Sequence, residues 1–388
     1  MSLLTFLDAK PLYYKEIDHE RVHIAYGLLK PHISRPKTVH VVGTNGKGST
    51  GRMFAHLAYK SGLRVGHYTS PHIISFNERI WIDGAYASDE VLEEAHQKLY
   101  GILGQEMSEA LSYFEYTTLL AFVVCEACDL MVLEAGLGGE FDATNVCEKE
   151  LSIITPIGLD HQAFLGQRIE EIATTKINSI QDRVVLAPQP FQEVVEVAQK
   201  LTEEKGAELF LNSIYCSGHE ALKDQLQQIA AHQSWGAYLV ENAMVALEAL
   251  DILEIPYDID DLKSVELFGR FYRLKENIRI DVGHNPLAAQ AIVKAMEPET
   301  ILIYNSLDDK DYETVLRTLK PKVKHVEIIK INSQRATTLD EIEQALQRVG
   351  LEYRYYNGKI ERDEYYLVFG SFYVVEEFLR SMESDVSE

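Results

Sequence analysis

One segment constrains this chain more than any other: Val41-Val42-Gly43-Thr44-Asn45-Gly46-Lys47-Gly48-Ser49-Thr50. An apolar β run, Thr38 to Val42, enters it, and helical spacing from Ser49 to Lys60 leaves it, with Gly62 as a stop. Strand, glycine turn and helix in that order bring backbone N–H groups and the positive end of a helix to one point. The glycines Gly43, Gly46 and Gly48 let the backbone curl around phosphate oxygens, and Lys47 adds a full charge. A hydroxyl from Ser49 or Thr50 is placed to reach a Mg²⁺ ion. The spacing departs from the usual G-x-x-x-x-G-K-[ST], because Val41 replaces the first Gly and Gly48 separates Lys47 from Ser49. The plain alternative is a tight turn capped by Ser49. The strand–turn–helix context favours a nucleotide site.

Further apolar runs alternate with helical patterns over the first 262 residues: Leu63–Tyr68, Leu130–Glu134, Leu151–Thr155 and Arg183–Ala187. Such alternation implies a parallel sheet covered on both faces. After Leu267 the pattern restarts, with strands expected at Ile278–Val282, Thr300–Tyr304, His325–Ile329 and Tyr366–Phe369. Helices are expected between them, for example at Pro286–Met296 and Thr338–Val349. The fold class is therefore α/β: a parallel-sheet, phosphate-loop ATPase domain over 1–268, then a smaller Rossmann-like α/β domain over 269–388. The joint is expected near Phe268-Gly269-Arg270, and a crevice between two such domains is a favoured ligand site.

Composition excludes several classes. The net charge is −23; residues 1–268 carry 20 Lys and Arg against 39 Asp and Glu, and residues 269–388 carry 17 against 21. No basic face is available for nucleic acid, so no nucleic-acid partner is expected. No run of 18 apolar residues occurs, and the stretch from Met1 to Lys15 lacks a signal peptide's pattern, so no membrane association is expected. Cys125, Cys128, Cys147 and Cys216 are too few for a disulfide scaffold. Cys125 and Cys128 form a C-x-x-C without a second ligand pair, inside a buried-helix pattern, and read as core residues of a cytoplasmic protein.

Two more loops follow buried strands. Glu134 ends the run LMVLE and precedes Gly136, Gly138 and Gly139; a carboxylate at that edge can hold Mg²⁺ against phosphate. Thr155 to His161 (TPIGLDH) again leaves a strand, and Thr174-Thr175-Lys176 follows in a helical pattern. Taken alone, His161 is more ordinarily a structural histidine and Lys176 a solvated lysine.

Together these segments resemble the Mur ligase superfamily, and within it the folylpolyglutamate synthase/dihydrofolate synthase family. The matching motifs are HVVGTNGKGST (40–50), YTSPHIISFNER (68–79), YFEYT (113–117), LEAGLGGEFDATN (133–145) and TPIGLDH (155–161). FGRF (268–271), IDVGHNP (280–286), LDDKDY (307–312) and GSFYV (370–374) follow in order. Peptidoglycan-building relatives carry an extra domain ahead of the phosphate loop. Here 42 residues precede Gly43, below the size of an independent domain.

The resemblance implies an ATP-binding central domain at 1–268 and a glutamate-ligase domain at 269–388. It places ATP phosphates on Gly43, Thr44, Asn45, Gly46, Lys47, Gly48, Ser49 and Thr50. Asn242, Arg270, Asp281 and His284 are implied as further nucleotide contacts, and Ser49, Ser70, Glu134 and His161 as Mg²⁺ ligands or their supports. Lys47, Glu134, His161 and Lys176 form the implied catalytic set, Lys176 being the lysine that becomes carbamylated. Ser112, Phe114, Asp142 and Thr144 match positions that hold a pterin. Implied cofactors are ATP and Mg²⁺, with a monovalent cation as a further candidate; implied partners are dihydropteroate or a reduced folate and L-glutamate, on a monomer. Two departures stand out: Glu140 occupies the place of an Arg in GGR-x-DATN, and Lys176 lacks the usual E-K-A-G-I surroundings. A Mur-type ligase for another carboxylate, or a nucleotide switch without ligase activity, are the alternative readings.

Overall fold

The computed structural model describes residues 1–10, 18 and 20–384. They form two compact units, Met1–Lys223 with Glu241–Val265, and Asp224–Val240 with Glu266–Glu388.

The first unit is built on an eight-stranded sheet. Its strands are β1 (Lys37–Val42), β2 (Val65–Tyr68), β3 (Ile80–Ile82), β4 (Ala85–Tyr86), β5 (Leu130–Glu134), β6 (Leu151–Ile154), β7 (Arg183–Leu186) and β8 (Glu208–Leu211). The order is β4-β3-β2-β5-β1-β6-β7-β8. From β2 to β8 every pairing is parallel; the β3–β4 hairpin closes one edge antiparallel. Strands β5 and β6 are buried along their whole length and β1 beyond its first residue, which is why they read as unbroken apolar runs.

One core lies beneath the helix Tyr113–Val124 and includes Tyr116, Leu120, Phe122, Met131 and Leu133. A second gathers Val42, Ile154, Ile172, Ile177 and Val184. Each such side chain contributes roughly 1.5–3 kcal/mol of burial. Cys125 and Cys128 are free and buried in the first core, and a Cβ on Gly66 would stand 2.3 Å from Cys125 Sγ. The C-x-x-C is packing, as its apolar setting implied.

In the second unit the strands are β9 (Tyr272–Lys275), β10 (Ile278–Ile280), β11 (Thr300–Tyr304), β12 (Val323–Ile328), β13 (Tyr353–Tyr355) and β14 (Tyr366–Phe369). Their order is β13-β12-β11-β14-β10-β9, parallel except for β9. The helices Pro286–Ile292, Tyr312–Leu319 and Leu339–Val349 contribute to its core with Leu302, Val326 and Leu367.

Several expected boundaries move. The helix after the glycine turn begins at Lys47 rather than Ser49, because Gly46, at φ 87°, is its N-cap. Strand β10 stops at Ile280, freeing Asp281 and Val282 for a loop, and the next helix ends at Ile292 rather than Met296. Among the described residues no helix is long and apolar enough to cross a membrane.

Candidate active site

The parallel register of the first sheet gathers four loops at one edge. Val41 lies opposite Glu134, Val42 opposite Ile154, and Tyr68 opposite Leu133. The loops that leave β1, β2, β5 and β6 therefore start side by side, where ligands collect in open α/β sheets.

The loop after β1 needs its glycines. A Cβ on Gly43 would stand 2.0 Å from Thr155 Oγ1 and 2.9 Å from the Thr155 carbonyl oxygen. One on Gly46 would stand 2.8 Å from Asn242 Oδ1. The loop is propped from beneath by the segment after β6: Thr44 N–H and Asn45 N–H donate to the Pro156 carbonyl at 3.0 and 3.1 Å. Gly158 N–H donates to Thr44 Oγ1 at 3.1 Å. Beyond it, the N–H groups of Lys47, Gly48 and Ser49 lie in the first helical turn, where the ladder offers no acceptor four residues back. Thr50 Oγ1 and Asn242 Nδ2 are buried without a hydrogen-bond partner among the described residues. A donor-rich turn with orphaned polar atoms beside it fits an anionic, multi-oxygen ligand.

Two lysines meet the loop. Lys47 Nζ donates to the Gly43 and Thr44 carbonyls at 3.3 and 3.2 Å and is partly exposed. Lys176, from the helix Ile169–Ile177, is buried, and its Nζ donates to the Gly43 carbonyl at 2.8 Å. Burial pushes the Lys176 ammonium down to about 7; Lys47 lowers it further, while Asp160 and Asp142 oppose. At neutral pH a large share of this amine is uncharged.

Glu134 is 3% exposed, and its Oε2 accepts the Thr69 hydroxyl. Ser70 follows Thr69 directly. His161 has left-handed backbone, φ 52°, which non-glycine residues adopt rarely and often at functional sites. Its N–H donates to Asp160 Oδ1 at 2.8 Å, and its Nε2 lies 4.0 Å from the same oxygen. Among the described residues no group of three or more His, Cys, Asp or Glu side chains forms a metal cage. A carboxylate such as that of Glu134 is a donor that suits Mg²⁺, which is ordinarily held by one or two carboxylates with substrate phosphates and water.

Of the residues matched to the pterin, Phe114 and Asp142 meet the glycine loop after β5, and Thr144 meets Asp142. Asp142 is buried, and burial raises its carboxyl pKa against the donors that face it. Its Oδ2 accepts from Gly136 N–H and Leu137 N–H at 3.0 and 2.8 Å. Its Oδ1 accepts from the Thr144 N–H and hydroxyl at 3.0 and 2.6 Å, and Thr144 Oγ1 also meets His40 Nε2 at 2.8 Å. Ser112 caps the helix Tyr113–Val124 through the Glu115 N–H. The Phe114 ring fills the space a side chain on Gly136 would need, at 2.6 Å. Gly139 packs on the Lys176 carbonyl, where a Cβ would approach to 2.3 Å, and Glu140 N–H donates to the Thr175 carbonyl.

The second unit holds Arg270, Asp281 and His284. Gly269 and Phe271, at φ 72° and 46°, flank Arg270, whose guanidinium lies over the Phe372 ring at 5.4 Å. Asp281 is buried and accepts from Phe271 N–H and Gly283 N–H, both at 2.7 Å, and from the Tyr238 hydroxyl at 3.2 Å. Burial raises its pKa, with Arg270 opposing. His284 Nδ1 lies 3.1 Å from the Val282 carbonyl.

Comparison with known proteins then decides the family. A dihydrofolate synthase/folylpolyglutamate synthase of Escherichia coli (strain K12) is 31% identical over 90% of this chain and 85% of its own length. The chain belongs to the dihydrofolate synthase/folylpolyglutamate synthase family. The crystal structure of Helicobacter pylori folylpolyglutamate synthetase is similar at TM-score 0.75 and 37% identity, covering 98% of both chains. An Escherichia coli FolC structure in complex with DHPP and ADP is similar at TM-score 0.83 and 25% identity, covering 100% of this chain and 99% of that one. No family model matches. Within this family member, sequence reasoning missed Thr69 and the Pro156 carbonyl. The pairing of Tyr68 with Leu133 brings Thr69 to Glu134, a contact between strands far apart in the chain that no local pattern marks.

Proposed function

We propose that this ligase joins L-glutamate to dihydropteroate, to reduced folates, or to both, using ATP. One observation carries the reading: the donor-rich turn at Gly43–Ser49, the buried carboxylate of Glu134 and the amine of Lys176 sit at adjoining strand ends. In this account the turn at Gly43–Ser49 in the first unit holds the ATP phosphates.

An acceptor carboxylate oxygen attacks the γ-phosphorus of ATP, and ADP leaves. Lys47 and the N–H groups of the first helical turn offset the charge that spreads over the phosphoryl oxygens. Glu134, Ser70, Ser49 and His161 are the residues that would hold Mg²⁺ or support its ligands. That ion supplies neutralisation of phosphate charge when bound. The glutamate amine then attacks the acyl carbon, and the tetrahedral intermediate expels phosphate, which keeps the acceptor's former carboxylate oxygen. The amine's protons pass to solvent. His161 positions ligands rather than acting as a base.

The neutral amine of Lys176 reacts with CO₂ to give a carbamate and a proton, converting a cation into a carboxylate-like group next to Gly43. Asp142 and Thr144, whose polar atoms are already engaged, shape the pterin pocket by fixing the Gly136–Leu137 turn, and Phe114 offers the ring face. Asn242, packed against Gly46 of the turn, reaches the nucleotide. We further propose that the chain works as a cytoplasmic monomer without nucleic acid.

Mass spectrometry tests this. Purified protein receives ATP, Mg²⁺, glutamate and either dihydropteroate or tetrahydrofolate. A product heavier than the acceptor by one glutamyl residue, with stoichiometric ADP, is expected; ATP consumption without acceptor-linked glutamate rejects it.

A further inference from the structure

We infer that Thr69 is a positioning residue for the divalent cation, acting through Glu134. The inference rests on the proposed metal-holding role of Glu134.

The register of the sheet makes the contact. Tyr68, the last residue of β2, pairs with Leu133, so Thr69 emerges opposite Glu134. Its hydroxyl donates to Glu134 Oε2. Its N–H donates to the Arg79 carbonyl at 2.9 Å, which ties the backbone at 69 to the start of β3. The intervening loop is clamped in turn. Glu78 accepts the N–H groups of Ile73, Ile74 and Ser75, each at 2.7 Å. Arg79, buried, donates from Nε to His72 Nδ1 at 2.8 Å. Thr69 is thus held on both sides, and its branched side chain has few rotamers.

Two consequences follow from the chemistry of the donor. A hydroxyl carries no charge, so it does not offset a carboxylate's charge as a Lys or Arg partner would. By engaging Oε2, the hydroxyl also leaves Oε1 as the oxygen directed to a cation. Outer partners of this kind orient a ligating carboxylate, and their loss costs roughly 10–100-fold in metal affinity.

The test measures Mn²⁺ binding by electron paramagnetic resonance in saturating ADP, on the full chain, beside metal-free ADP affinity and thermal midpoint. Thr69→Val is expected to weaken Mn²⁺ roughly 10–100-fold, with metal-free ADP affinity unchanged. Thr69→Ser, which keeps the donor, restores affinity close to the wild type. Thr69→Ala provides a second donor-free variant should valine unfold the protein. If Glu134→Gln weakens Mn²⁺ but the donor-free Thr69 variants do not, the role of Thr69 is overturned while that of Glu134 stands. If Glu134→Gln leaves Mn²⁺ binding intact, the reading of Glu134 fails and takes this inference with it.

Discussion

Gly43→Ala tests the geometry of the phosphate loop at its tightest point. The new Cβ would stand 2.0 Å from Thr155 Oγ1, 2.9 Å from the Thr155 carbonyl oxygen and 3.1 Å from its carbon. Thr155 is fully buried and its hydroxyl already donates to the Val42 carbonyl, so the overlap falls partly on backbone that cannot rotate away. Overpacking of this kind costs about 1–3 kcal/mol. The shift also moves the Gly43 carbonyl, which anchors Lys176 at 2.8 Å and Lys47 at 3.3 Å. We expect a lower urea midpoint and at least tenfold weaker ADP binding by calorimetry, the latter about 1.4 kcal/mol. Thr155→Ala removes the nearer overlap but not the carbonyl. Adding it to Gly43→Ala should return about 1 kcal/mol as a coupling between contacting sites. A Gly43→Ala protein with wild-type stability and wild-type ADP affinity would refute the packing argument.

Three other outcomes are expected. Glu134→Gln keeps an acceptor for Thr69 but loses the charge, so Mg²⁺-dependent nucleotide affinity falls at least tenfold while metal-free ADP binding holds, as calorimetry with and without metal will show. Because the Lys176 amine is lowered to about 7, falling pH charges it below that value and removes the CO₂-reactive form. Initial rates should therefore drop below pH 7 and recover in part with added bicarbonate, whereas a profile flat from pH 6 to 8 contradicts the assignment. The same lowering makes the folded chain hold fewer protons than the unfolded one between about 7 and the ordinary lysine value, so stability rises with pH across that window. Asp281→Asn cannot accept all three donors that face Asp281; it should cost about 1–3 kcal/mol, read from thermal unfolding of the full chain.

Much of the first sheet was legible because its central strands are buried on both faces. Leu130–Glu134 runs to the expected ends for that reason, as does the buried Thr300–Tyr304 of the second sheet. The start of the loop helix was misplaced because Ser49 is a favoured cap, whereas the chain begins the helix from a left-handed Gly46. The β3–β4 hairpin carried a signal that passed unread: Asp83-Gly84, both at positive φ, is a favoured two-residue turn. Strand β8 is only partly buried and shows no strong alternation. Least visible from sequence was the inner wiring of the site. That Lys176 reaches the Gly43 carbonyl, or that the Thr69 hydroxyl meets Glu134, depends on contacts between segments far apart in the chain. The grouping of residues 224–240 with the second unit is likewise a tertiary fact without a local marker.

Oxygen transfer examines the proposed chemistry most directly. Acceptor labelled with ¹⁸O in its reacting carboxylate is turned over with ATP, Mg²⁺ and glutamate, and the released phosphate is weighed by mass spectrometry. An acyl phosphate route places one labelled oxygen in each phosphate formed; phosphate free of label, alongside normal glutamylated product, would contradict it.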